Sequence, residues 1–253
     1  MRRWHLVEIH DLEWCPKVLR EGLTDFLEVM IGERDIYGAI RPILLESLAT
    51  SGAGNVVDLC SGAGGPWASW RRKGLNDAKI TLTDKFPNQA ACQRLRDDPL
   101  PGLRYWPESV DATSVPPALE GFRTVFTAFH HFPPESAARI IRTAIDENQP
   151  IAICEYTCRH LAAILFMLLS PLAVWGLTPR MRTRGWLKLL LTYALPLIPL
   201  IVTLDGVVSC LRTYTLAELK SLAGDSNYTW MGGTCKGRQW PLPITYFIGH
   251  PKR

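Results

Sequence analysis

The stretch Val56-Val57-Asp58-Leu59-Cys60-Ser61-Gly62-Ala63-Gly64-Gly65-Pro66 constrains the fold more than any other part of the chain. An apolar run of strand length empties into a loop of small residues, and a helical segment, ASWRRKGL, follows. Glycines let a backbone approach a ligand, and the first N–H groups of a helix have no partners of their own. A tight strand-to-helix turn with no ligand uses the same residues, so this loop alone leaves both readings open.

The neighbouring pattern sets the architecture. Up to residue 50 the chain reads as helical: Leu19, Leu23, Phe26, Leu27 and Met30 recur at helical spacing, and Asp35 is placed to cap a second helix carrying Ile36, Ile40, Ile43, Leu44 and Leu48. Strands are expected at 54–60, 79–86, within LRYWPESVDA, at 122–132 and at 150–157, with helices over ASWRRKGL, NQAACQRLRDD and from Pro134 through Ile145. Strands alternating with helices specify a parallel sheet covered on both faces. The tail, NYTWMGGTCKGRQWPLPITYFIGH, reads as an antiparallel hairpin. The fold class is therefore α/β, a Rossmann-like seven-stranded, mostly parallel sheet. It has an antiparallel C-terminal hairpin and a hydrophobic helical insertion before it. The chain divides into an N-terminal helical cap (1–50), a cofactor-binding core (51–158), a hydrophobic lid or membrane-surface insertion (159–222) and the hairpin (223–253).

Composition narrows the class. With 47% apolar and 21% charged residues the chain is globular in type, and a net charge of +4 does not argue for nucleic acid. The seven cysteines have no CxxC spacing, which disfavours a disulfide framework or a structural zinc site and suits reduced thiols in the cytoplasm. MRRWHLVEIHDLEW has no apolar core and does not read as a signal peptide. Residues 161–179 and 189–204 carry no charge, and RMRTRGWLK between them carries four positive ones. Prolines interrupt both runs, and two spans would place the basic loop outside, against the positive-inside rule. The insertion is instead a lid over an apolar pocket, or a pair of helices lying in the inner membrane surface with the basic cluster at anionic headgroups, or extra core packing.

Three aspartates complete the ligand argument. Asp58 lies in the first strand, Asp84 ends the second, 20 residues beyond Gly64, and Asp111 is assigned to the end of the third. A carboxylate at the second tip can accept both hydroxyls of a ribose, and one at the third an exocyclic adenine amine. Adjacent tips converge on the crevice where such sheets bind ligands. Together they favour a nucleoside. On these residues the chain resembles the class I S-adenosylmethionine-dependent methyltransferases, over about 35–157 plus the terminal hairpin. VVDLCSGAGG resembles that family's first motif, with Cys60 where a glycine is usual. The resemblance implies S-adenosylmethionine as cofactor. Asp58, Ser61, Gly62 and Gly64 would lie around its methionine part, Asp84 with Lys85 at the ribose, and Asp111 with Ala112 at the adenine. A nicotinamide dehydrogenase would show GxGxxG, and a DNA cytosine methyltransferase a Pro-Cys dipeptide after the fourth strand. This chain has Phe129-His130-His131-Phe132 there.

His130 and His131 are the candidate general bases, because imidazole titrates near neutral pH. Glu155 stands on the same rim. Asp205, Ser209, Arg212 and Tyr214 interrupt an apolar stretch that resembles the pocket-closing segment of quinone-type and similar small-molecule methyltransferases; these five are the candidate substrate residues. Trp14, Cys15 and Tyr37 are candidate ligand contacts from the N-terminal part, with Trp14 also read as a packing anchor. No metal ligand set is assigned; a thiol or metalloid chemistry at Cys154 and Cys158 lacks a third cysteine. The expected function is methyl transfer to a small or lipophilic acceptor, with no nucleic-acid partner. The alternative is a non-catalytic membrane-associated adaptor retaining the fold.

Overall fold

The computed structural model describes residues 1–75, 78–181, 185–237 and 239–252. Two helices open the chain, α1 (Lys17–Glu33) and α2 (Arg41–Ser51). Next come β1 (Asn55–Leu59), α3 (Gly65–Arg72), β2 (Lys79–Leu82), α4 (Gln89–Asp97), β3 (Leu103–Tyr105), β4 (Phe122–Phe126), α5 (Pro134–Asp146) and β5 (Ile151–Glu155). The insertion contains α6 (Leu161–Met167), α7 (Ser170–Leu177), α8 (Trp186–Leu189) and α9 (Leu197–Arg212). The chain closes with α10 (Leu216–Ala223) and the hairpin β6 (Tyr228–Lys236) and β7 (Pro243–Pro251).

The seven strands form one sheet in the order β3-β2-β1-β4-β5-β7-β6. The first five are parallel, and β7 enters antiparallel to both β5 and β6. The chain winds outward from β1 to β3, then returns to β4 beside β1. That reversal leaves a crevice beyond the carboxyl ends of β1 and β4, where open α/β sheets bind ligands.

Alternation of side chains along the strands builds two cores. Val56, Ile80, Phe122, Phe126, Ala152 and Ile248 face one side, under α1, α2, α3 and the insertion. Val57, Leu59, Val125, Ile151, Ile153 and Phe247 face the other, against α5 and α10. Helix α5 fits its place by pattern: Pro134 starts it, and buried Ala137, Ile140, Ile141 and Ala144 form one stripe. Helix α10 starts with a capping box made by Thr215 and Glu218.

Three local expectations need correction. Asp35 does not cap α2: it adopts a left-handed conformation and accepts a hydrogen bond from Trp70 Nε1, while α2 starts after a short 3-10 turn. Strand β3 stops at Tyr105, so Asp111 sits in the following loop, paired with Ser114 in an isolated bridge. The connection from β3 to β4 contains no helix. Strand β4 ends at Phe126, and Phe129-His130-His131 forms a 3-10 turn, so the two rings do not alternate across a sheet.

Among the described residues of the insertion, no single helix is long and apolar enough to cross a membrane, although two bent helix pairs would pass on length and composition. One face of it packs on α1; the other leaves Leu161, Leu165, Leu168, Leu172, Leu195 and Leu200 more than half exposed. Part of the basic cluster, residues 182–184, lies outside the described residues. Of the rest, Arg180 pairs with Glu33, and Lys188 with Asp25 and Glu21 on α1.

Trp70, Trp67 and Phe126 meet edge to face where α3 crosses the sheet. Truncating Trp70→Ala is expected to lower the unfolding free energy by about 3–5 kcal/mol, read by urea denaturation; a loss below about 1 kcal/mol would show that this aromatic cluster does not anchor α3.

Candidate functional site

The first loop is held by Asp58. Its carboxylate, 1% exposed, accepts from Thr124 Oγ1 on β4 (2.6 Å), Ser61 Oγ in the loop (2.6 Å) and Trp67 Nε1 on α3 (3.1 Å). Burial pushes this carboxyl up to about 7, against the pull of the three donors. Ser61 also receives Thr83 N–H on its hydroxyl, and its own N–H bonds Thr83 O, so the loop is stitched to the end of β2. Cys60 takes a positive φ of 58°, the conformation a glycine adopts without strain, and Gly62 (φ 52°) and Gly64 (φ 120°) follow it. A Cβ on Gly62 would meet no atom within 4 Å, so the loop faces open space there.

The second and third tips close around that space. Asp84 accepts from Gly62 N (2.9 Å) through one oxygen and from Phe86 N (2.9 Å) through the other. Each oxygen keeps a further lone pair for a hydroxyl donor. Burial raises the Asp84 carboxyl. Asp111 pairs with Lys85 (2.8 Å) and accepts from Thr113, and the Lys85 bond draws its carboxyl down to about 2. Val110 N–H bonds Asp84 O, which ties the two tips together; Ala112 is buried beside them. These residues fit a nucleoside cofactor: bare backbone on one side, carboxylates at two heights on the other.

A chamber of about 410 Å³ opens at the ends of β4 and β5, between α1 and the insertion. Leu23, Phe26, Met30, Phe166, Met167 and Val202 make its apolar wall, and Glu8, His10, His130, His131, Asp205 and Ser209 its polar wall. A larger hollow, about 610 Å³, lies at the opposite edge, where β1, β4 and β5 begin, away from the glycine loop. The polar wall is one network. His130 donates Nδ1–H to Glu155 (2.9 Å), which also accepts the His130 backbone N–H (3.1 Å). His131 donates to Asp11 (3.0 Å), and His10 to Asp205 (2.8 Å). Arg212 donates to the carbonyls of His130 (3.2 Å) and His131 (2.6 Å) and reaches Asp11 and Glu8, so it braces the turn from behind. Burial raises Glu8. Burial and the adjacent His130 hold His131 below the usual imidazole value. Burial also opposes the charged form of His10, but the bond to Asp205 and the fields of Glu8 and Asp11 outweigh it.

The sequence candidates therefore separate. Asp58 and Ser61 hold the loop from inside; Gly62, Gly64, Asp84, Lys85, Asp111 and Ala112 form the tips. His130, His131, Asp205 and Ser209 line the chamber. Asp205 is largely engaged in fixing the N-terminal segment, accepting from Ile9 N (2.7 Å) and His10 N (3.1 Å). Glu155 and Arg212 stand behind the histidines. Tyr214 packs in the opposite core and donates to Phe132 O, with Arg3 over its ring. Tyr37 is fully buried, bonding Thr127 and Cys154 O. Cys15 is buried, but Trp14 is 71% exposed and anchors nothing. Sequence reasoning missed Glu8, His10 and Asp11. Their signal was the density of ionisable groups in HLVEIHD, which the search for a leader peptide passed over.

No protein-family model and no curated protein matches the chain. Solved structures do. LaPhzM aligns at a TM-score of 0.51 and 15% identity, and TnmH at 0.50 and 17%, each over 87% of this chain and 56% of that one. The plantazolicin methyltransferase BpumL in complex with SAH aligns over 92% of this chain and 98% of its own at 0.49 and 10% identity. The chain spans 56% of the length of the first two and 43% of LepI. Such identities establish fold alone: the chain has the Rossmann-like fold of the class I S-adenosylmethionine-dependent methyltransferases.

Asp58 gives a pH test. Its carboxyl rises from 3.8 to about 7 on folding, so its stabilising share is complete below 3.8 and is lost as pH climbs through about 7. Relative to Asp58→Asn, the wild type should lose stability over that window, by no more than about 4 kcal/mol, measured as paired urea midpoints. Parallel pH profiles would mean the carboxylate is ionised throughout.

Proposed function

We propose that this chain transfers the methyl group of S-adenosylmethionine to a small, lipophilic acceptor held in the chamber. The observation that carries the reading is the junction of two sites at the β1/β4 reversal. The glycine loop with Asp84 and Asp111 stands on one side, and an apolar chamber with a two-histidine wall on the other. The glycine loop follows β1 and the histidine turn follows β4, and these two strands pair side by side, so the two sites are neighbours. Gly62 and Gly64 would lie along the methionine part, Asp84 would hold the ribose, and Asp111 with Ala112 would flank the adenine. When bound, the cofactor supplies an electrophilic sulfonium methyl, so the chain has to align a nucleophile and receive its proton.

His130 suits the proton's destination. Its Nδ1–H is committed to Glu155, while Nε2 has no hydrogen-bond partner among the described residues. Arg212 and Arg3 hold the carbonyls of residues 130–132, which fixes the ring's base. The apolar wall excludes water from the acceptor and favours a hydrophobic one.

The leucines on the insertion's outer face support peripheral attachment to a bilayer. Leu169 and Leu172 are both exposed and part of the chamber lining, so a lipophilic acceptor could enter directly from the lipid. The same face favours the second reading, a membrane-associated adaptor without catalysis.

Calorimetry separates the two. The chain should bind S-adenosylmethionine or its demethylated product, and Asp84→Ala should weaken binding at least about tenfold. No heat with either at millimolar concentration retires the enzyme. In a product-release screen of lipophilic phenols, thiols, amines and acids, His130→Ala should lower kcat by about 10²–10⁴ at unchanged cofactor affinity. An undiminished kcat would relieve His130 of the base role.

Attachment is read by flotation with anionic vesicles. Leu165→Asp with Leu168→Asp should leave the chain at the bottom of the gradient, whereas added salt should have a smaller effect, because Arg180 and Lys188 are paired to α1. Flotation that survives the double substitution would argue against insertion of this face.

A further inference from the structure

The polar wall of the chamber holds an arrangement that a general base alone does not require. Glu8, His130 and His131 point their free ligand atoms at one another, all within 4.8 Å. His130 Nε2 lies 3.6 Å from Glu8 Oε1, and His131 Nε2 lies 3.8 Å from Glu8 Oε2. We propose that these three residues form a site for one divalent transition-metal ion with the preferences of zinc, open on the chamber side.

Three observations carry it. The first is the lone nitrogen. His130 is 1% exposed, and its Nε2 is buried without a hydrogen-bond partner among the described residues, aimed at the Glu8 carboxylate. A buried polar atom left without a partner costs on the order of 1–3 kcal/mol, and a metal ion would supply the missing bond.

The second is the outer shell. Metal-bound imidazoles commonly give their other N–H to a carboxylate, which fixes the tautomer and the ring orientation. Here both histidines do so: His130 Nδ1 to Glu155 (2.9 Å) and His131 Nδ1 to Asp11 (3.0 Å). Both Nε2 atoms are thereby turned inward. Glu8 is fixed in turn by Ser209 Oγ (3.1 Å) and by Arg212 Nη1 (3.4 Å) at Oε1.

The third is size and charge. A tetrahedral ion bonded at about 2.0–2.1 Å holds its ligands roughly 3.3 Å apart, so the His–Glu8 separations of 3.6 and 3.8 Å need a slight contraction, and all three ligand atoms already lie within 4.8 Å of one another. Around the three rings of His10, His130 and His131 stand four carboxylates, Glu8, Asp11, Glu155 and Asp205, and one guanidinium, Arg212, pairs with two of them, Glu8 and Asp11. A divalent cation would offset most of that excess.

Two overlapping triads, His10–Asp11–His131 and Glu8–His10–Asp205, are weaker candidates. The first relies on the more exposed Asp11, and in the second the His10 nitrogen is already bonded to Asp205 (2.8 Å). Two histidines and a carboxylate with positions left open are a set suited to zinc or to iron(II). Glu8, His130 and His131 all line the chamber, so an acceptor oxygen, nitrogen or sulfur would meet the ion's open side. That consequence rests on the methyl-transfer reading; the ion's binding does not.

The test uses the full chain, stripped by a chelator and checked by circular dichroism and by S-adenosylmethionine calorimetry. Zn²⁺ titrated against a chromophoric chelator should be held at one ion per chain. Co²⁺ should give the visible d–d bands of a four- or five-coordinate nitrogen and oxygen site. Glu8→Gln, which keeps the shape, and His131→Ala, at a partly exposed ring, should each weaken Zn²⁺ binding more than tenfold. Glu155→Gln should weaken it about 10–100-fold through His130. Asp84→Ala should lower cofactor binding and leave Zn²⁺ affinity unchanged, which separates failure of this site from failure of the methyltransferase reading. Zn²⁺ uptake that is absent, or indifferent to both Glu8→Gln and His131→Ala in folded protein, overturns the proposal. So does an intense cobalt–thiolate charge-transfer band, which would place the ion on the free cysteines.

Discussion

One buried carboxylate, Asp58, joins four parts of the molecule at the middle of the sheet. It lies on β1, between β2 and β4, and gathers a hydroxyl from β4, a hydroxyl from the glycine loop and the indole of α3. A charge taken out of water is tolerated only where its lone pairs are met. The loop must therefore turn back over β1, and α3 must present Trp67 to it. The positive φ values at Cys60, Gly62 and Gly64 follow from that turn. So does the exposure of the Gly62 N–H to Asp84, and with it the shape of the cleft between the first two strand tips.

A second network closes the other half of the crevice. Residues 9–11 form a single 3-10 turn after Glu8, held by Asp205 and Arg212 on α9 and by His131. Arg212 touches both this segment and the carbonyls of the 3-10 turn after β4. The chamber's polar wall thus comes from three places in the chain, and the apolar wall from α1 and the insertion. A charged cluster in a greasy enclosure interacts far more strongly than it would in water. A positioned base and an ion site both need an imidazole nitrogen kept free and aimed; at His130 Nε2 the two uses exclude one another, because its one lone pair takes either a proton or a metal.

Legibility varied with the range of the interactions. Strands β1 and β5 and helices α1, α3, α4 and α5 are legible in the sequence, because their apolar periods, prolines and glycines act within a few residues; β2 and β4 start where expected but end several residues early. The end of β3 was overestimated, since LRYWPESVDA keeps strand-like residues after pairing stops at Tyr105. The histidine pair reads as the end of a strand and lies instead in a turn; Tyr214, a candidate substrate residue, packs in the far core, and Trp14, read chiefly as a packing anchor, is exposed. Glu8, His10 and Asp11 went unrecognised because their partners lie roughly 120 to 200 residues away in sequence.

The sequence by itself determined the alternating elements, the glycine loop with its three aspartates, and the uncharged insertion, since each is written in local spacing. Tertiary structure alone decided that Asp58 faces inward while Asp84 faces the cleft, and that the insertion buries one side and exposes leucines on the other. It also decided that an N-terminal glutamate meets two histidines from the end of β4. Those outcomes depend on which distant groups share a desolvated volume, and only a folded chain defines that volume.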